Sequence, residues 1–141
     1  MKKLLLTAVV AFSTLVASAQ FMVVTTYDGD QEENMDKITT NLGIGYMVND
    51  MITVGLANGG DDANGEGTYD IFARYSIAQV EGAYASLTMP GDDAEDMSIG
   101  VGFAFNVWNG LYVEPNYTMP TSEDAEGNRE GSFNFGLSYR F

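Results

Sequence analysis

The sequence predicts an all-β protein: an eight-stranded antiparallel up-and-down transmembrane β-barrel behind a leader segment. Three observations carry that expectation. Residues 131–141, GSFNFGLSYRF, place Phe133, Phe135, Leu137, Tyr139 and Phe141 on one face of a strand and Ser132, Asn134, Gly136, Ser138 and Arg140 on the other. The same alternation recurs along the chain, between connections that are in turn short and long. Opposite the apolar faces stand Gly, Ser, Thr and Asn, and no strand carries a lysine. Such small polar residues coat a surface poorly but fill a narrow interior, whereas a lipid-facing exterior must be apolar.

The elements follow in order. Residues 1–19 begin with Lys2 and Lys3, continue apolar from Leu4 to Ala17 and end on Ala17-Ser18-Ala19. A basic start, a short apolar run and a small-x-small site are the parts of a cleaved signal peptide. The competing reading, a membrane anchor, needs about 20 apolar residues. The barrel domain is therefore expected over residues 20–141, with strands at 21–27, 38–48, 51–58, 67–77, 82–89, 97–108, 111–119 and 131–141. Asn49-Asp50, residues 78–81 and Asn109-Gly110 make tight turns, Asn-Gly being a strong hairpin signal. Residues 28–37, 59–66, 90–96 and 120–130 make longer loops rich in Gly, Asp, Glu and Asn. Turns at one end and loops at the other suit a bacterial barrel with its turns in the periplasm.

Facing follows from the alternation. Ile38, Leu42, Ile44, Tyr46 and Val48 oppose Asn41, Gly43 and Gly45; Ile99, Val101, Phe103 and Phe105 oppose Gly100, Gly102, Ala104 and Asn106. Two aromatic belts result, Tyr46, Trp108, Tyr139 and Phe141 at the turn end and Tyr27, Tyr69, Tyr117 and Phe133 at the loop end. A soluble lipocalin-type barrel is the competitor, but it needs a charged outer face. Pro115 within a strand predicts a bulge or weakened pairing. Strands 21–27 and 82–89 alternate too poorly to orient Val23 or Tyr84.

These features resemble the small outer-membrane barrel family of the OmpA transmembrane domain and the OmpX/Ail-like proteins. The resemblance covers residues 20–141 and rests on eight amphipathic strands, alternating loop lengths and the terminal LSYRF. It implies a Gram-negative outer membrane, contact with its lipids, and insertion by the barrel-assembly machinery with Tyr139 and Phe141 as the C-terminal signal. The Ala19-Gln20 junction resembles those of Bacteroidetes secretory proteins. The chain ends with its last strand and its loops are short, so peptidoglycan anchoring and strong adhesion are not implied.

Composition excludes whole classes of function. The chain has no cysteine and no histidine, so disulfides, thiolate chemistry and Ser-His or Asp-His catalysis are out. Outer-membrane lipid A acylases and deacylases and omptin-like proteases rely on histidine, and a carboxylate pair would still need a cleft. After residue 19 the only basic residues are Lys37, Arg74, Arg129 and Arg140, against 20 carboxylates, so nucleic acid is repelled. No cofactor is expected.

Two candidate sites remain. Asp70 and Glu114 are the only strand carboxylates, and they share the expected lumen face with Arg74 and Arg140. These four are expected to form an ion-paired lumen cluster in which Glu114 bridges Arg74, Arg140 or both. It either stabilises and fills the barrel or gates a narrow pore. The second candidate is the set of acidic loops. Asp28, Asp30, Asp62, Asn64 and Glu66 are weak candidates for calcium, and residues 62–67 start like an EF-hand but lack its twelfth-position Glu. Loose sharing of divalent cations with lipid headgroups is the alternative. Function therefore divides between a structural or surface-interaction barrel with a filled lumen and a narrow porin-like channel for ions or small solutes.

Overall fold

The computed structural model describes residues 20–92 and 95–141. The leader assigned to residues 1–19 lies outside them, as does Asp93. Nine strand segments form one antiparallel sheet: β1 (Phe21–Thr26), β2 (Gly43–Met47), β3 (Ile52–Asp61), β4 (Gly67–Ser76), β5 (Ala83–Pro90), β6 (Ser98–Phe103), β7 (Phe105–Trp108), β8 (Leu111–Pro120) and β9 (Ser132–Arg140). β6 and β7 are one stave interrupted at Ala104. Gly102↔Asn116 and Phe105↔Val113 continue a single register against β8. With β1 paired to β9 and β6 to β8, the sheet closes as an eight-stranded barrel.

Pairing converts the sequence alternation into an inside and an outside. Val101 is 58% exposed and Phe135 55%, while Met22 is 2% exposed and Glu114 fully buried. Ile44, Leu56, Ile71, Leu87 and Ile99 join Val101 and Phe135 on the outer surface. The two strands of undecided facing resolve on their partners. Met22↔Gly45 and Tyr84↔Gly102 put Met22, Val24 and Tyr84 inside, and Val23 outside. Lumen glycines make the space for this bulk. A Cβ on Gly45 would stand 2.7 Å from Met22 Cγ, and one on Gly102 would stand 2.6 Å from the Tyr84 ring. Met22, Val24 and Phe72 thus pack with Ala57 as an apolar core inside a mostly polar lumen.

The expected strand 38–48 is shorter than its sequence suggested. Residues Asp36–Thr39 form a single helical turn, α1, and β2 begins only at Gly43. The Thr39 and Thr40 hydroxyls bond back to the carbonyls of Met35 and Asp36, at 2.9 and 2.6 Å. That local bonding competes with a strand ladder. The Thr25 hydroxyl bonds the Ile38 carbonyl, folding the turn over the end of β1. Ile38 therefore belongs to the loop and not to a strand face. β3 instead runs on to Asp61 through a bulge at Asn58/Gly60, where Gly60 has φ 90°.

Pro115 weakens pairing across the strand, without a register shift in β8 itself. The register places Phe103 opposite Pro115, which has no N–H to give its carbonyl. The stave breaks at the next residue, where the Ala104 N–H bonds Gly82 O of the opposite neighbour at 2.8 Å.

Candidate functional site

Glu114 is the centre of the lumen. Three strands converge on it, because β8 carries it, β9 carries Ser138 and Arg140, and β4 carries Arg74 from across the barrel. Arg74 Nη1 donates to Glu114 Oε2 at 2.6 Å. Ser138 Oγ donates to Oε1 at 2.6 Å, and Arg140 Nη2 reaches Oε1 at 3.5 Å. A buried carboxylate is tolerated only when so satisfied. Both guanidiniums also lie over rings: Arg74 is 4.8 Å from the Tyr84 centroid, and Arg140 is 3.9 Å from that of Tyr112. Two of the four basic residues after residue 19 thus meet on one acid.

Of the four residues expected to gather, Arg74, Glu114 and Arg140 do so. Asp70 does not. It pairs across to Ala57 and Pro90, four residues nearer the loops than Arg74, and among the described residues it makes no ion pair. Four strand positions, about 13 Å, separate Asp70 from Arg74 along β4. Ser138 was missed by sequence reading, although it stands two residues before Arg140 on the same face. Met22 was missed because β1 lacks clear alternation.

The barrel is filled unevenly along its axis. On the loop side of Glu114, Asn116 Nδ2 bonds the Glu114 carbonyl at 2.9 Å and Asn134 Nδ2 bonds Thr118 Oγ1 at 3.1 Å. On the turn side a cavity of about 680 Å³ opens between the turns and runs up to Arg74, Arg140, Tyr84 and Tyr112. The ion cluster thus forms the inner wall of the turn-side cavity.

Exposed aromatics lie toward both ends of the strands. Tyr46, Trp108 and Tyr139 are exposed at the turn end, where Tyr139 packs edge-on to Phe141 at 4.9 Å. Tyr69 and Tyr117 are exposed at the loop end, with Tyr117 paired to Phe133.

In the loops, the acids bind their own backbone. Asp62 Oδ1 accepts the N–H groups of Asn64 and Glu66, at 2.8 and 2.9 Å. Asp124 Oδ1 does the same for Glu126 and Asn128, both at 2.9 Å. Gly65 and Gly127 both take φ 79°, so Asp62-Ala-Asn-Gly-Glu and Asp124-Ala-Glu-Gly-Asn are two copies of one turn. The Glu66 and Asn64 amides, in that order, hold the Asp62 carboxyl below its ordinary 3.8. Asp28 is lowered by Gln31 first and then by the Asp30 amide. The EF-hand-like start at Asp62 is therefore a capped turn. Among the described residues no three Asp or Glu side chains are placed together so as to hold a metal ion.

No known protein family matches the chain, and no curated protein does. Among solved structures, the chain is similar to the solid-state NMR structure of outer membrane protein AlkL in DMPC lipid bilayers. The identity is 15%, over 86% of this chain and 90% of that one, with a TM-score of 0.42.

Proposed function

We propose that this protein is a small integral barrel of the Gram-negative outer membrane, with a structural or surface-interaction role and a lumen closed by its own side chains. The observation that carries this reading is the inversion of polarity. The barrel is apolar outside, while its fully buried Glu114 is bridged to two arginines inside. In water that arrangement would expose a large apolar surface and hide the charges; in a bilayer each group has its proper environment. The acidic loops then face outward, repelling one another or sharing divalent cations with lipid headgroups. In this reading the role is not enzymatic: the chain lacks the histidine on which the outer-membrane barrel enzymes weighed above rely.

The turn-side cavity supports a second reading, a narrow channel in which Arg74, Glu114 and Arg140 act as the gate. Single-channel recording decides between them, using protein expressed as the full chain and purified folded from membranes. A closed lumen predicts silence from a folded, heat-modifiable barrel. Discrete cation-selective openings, raised further by Glu114→Gln or Arg140→Gln, would establish the channel and overturn the closed-lumen reading.

A further inference from the structure

We propose that the turn-side cavity binds a short peptide with free termini, its carboxylate held by Arg74 and Arg140. The charge balance at the inner wall points to an anion. Two guanidiniums face one carboxylate, and that carboxylate is fully buried and already bonded by three donors. The arginine side chains keep 19% and 32% of their surface, and both line the cavity. One positive charge is therefore left facing the space. The donors are also in surplus, because each guanidinium bonds Glu114 through one terminal nitrogen. Tyr112 and Tyr84 cover the guanidinium faces, which leaves the in-plane N–H edges for a ligand. Such an edge fits a carboxylate bidentately.

The mouth has the opposite charge. Asp50 and Glu81, in exposed turns, line the cavity entrance, so a polyanion is repelled and a cationic end is favoured there. Four residues separate Arg74 from Ala78 at the rim, a depth on the order of 10 Å along the tilted strand. An extended chain spans about 3.3–3.6 Å per residue, so two or three residues join the two charges. Met22, Ile77, Val80 and Ala83 supply apolar wall for small side chains. The proposal rests on the cavity and not on whether the lumen conducts.

The test is a titration of the folded protein in nanodiscs with tri-alanine, its C-terminal amide and its N-acetyl form, following the arginine side-chain N–H resonances. Tri-alanine is expected to move the Arg74 and Arg140 guanidinium N–H signals saturably. The amide should bind at least about tenfold more weakly, for loss of a charge-assisted pair, and the acetylated form severalfold more weakly. Asp50→Asn with Glu81→Gln, both on exposed turns, should weaken free tri-alanine to the level of the acetylated form and leave the latter unchanged. No saturable shift with tri-alanine, or equal binding of tri-alanine and its amide, overturns the site. Equal binding of free and acetylated peptide overturns the role of the mouth.

Discussion

Replacing Glu114 by Gln tests the lumen cluster most directly. The substitution keeps the shape and removes the charge, leaving Arg74 and Arg140 as like charges without their shared acid. Removing one partner of a buried pair costs about 3–5 kcal/mol. Two features place this case at the lower end. The Arg140 contact is long at 3.5 Å, and both guanidiniums are partly exposed to the cavity, which screens them. The expected loss is about 3 kcal/mol. With a urea slope of about 2 kcal/mol per molar, the unfolding midpoint falls by about 1.5 M. The assay is urea titration in lipid vesicles, scored by the heat-modifiable gel band. A second variant controls for mere disruption: Arg74→Met, Glu114→Leu and Arg140→Met together should recover most of the loss, since an apolar replacement of a whole buried ion cluster is often neutral. A midpoint within about 0.3 M of wild type for Glu114→Gln alone would refute the reasoning, showing that the buried carboxylate adds no net stability.

Three further outcomes follow from local geometry. Gly55→Ala drives a Cβ into the Ile44 carbonyl and the Phe72 ring, and backbone cannot yield, so it should cost about 1–3 kcal/mol; Gly45→Ala meets the flexible Met22 and should cost less, and equal urea midpoints would contradict the steric account. Pro115→Ala restores an N–H facing the Phe103 carbonyl and should add about 0.5–1.5 kcal/mol, with slower amide exchange around Ala104; no gain would mean the break there has another cause. Asp62 has a folded-state pKa depressed below 3.8, so its contribution to the turn is present above that value and lost as pH falls through the folded pKa. The amide shifts of Asn64 and Glu66 should titrate with a midpoint below 3.8, and a midpoint above it would exclude the capping bonds as the cause.

The sequence by itself determined what depends on period and sign. A two-residue alternation needs no tertiary information, so the outward row of Phe133, Phe135 and Tyr139 and the inward row of Asn134, Ser138 and Arg140 were legible directly. So was the meeting of Glu114 with Arg74 and Arg140, because few charges share the lumen face and a low-dielectric interior forces them to pair. Where local bonding competes with the ladder, pattern alone misled. The spacing of Ile38 and Leu42 suits a helical turn as well as a strand, and the Thr39 and Thr40 hydroxyls decided for the turn.

Only closure of the barrel decided the rest. Met22 and Tyr84 point inward because their cross-strand neighbours Gly45 and Gly102 leave them room, a relation between segments far apart in the chain. Depth along the barrel likewise exists only after register is set. It is depth that brings Ser138 onto Glu114 and stops the cavity at the two arginines. Facing is a property of one strand and can be read along it. Which side chains share a level is a property of eight strands in register, and only their hydrogen-bonded ladder determines it.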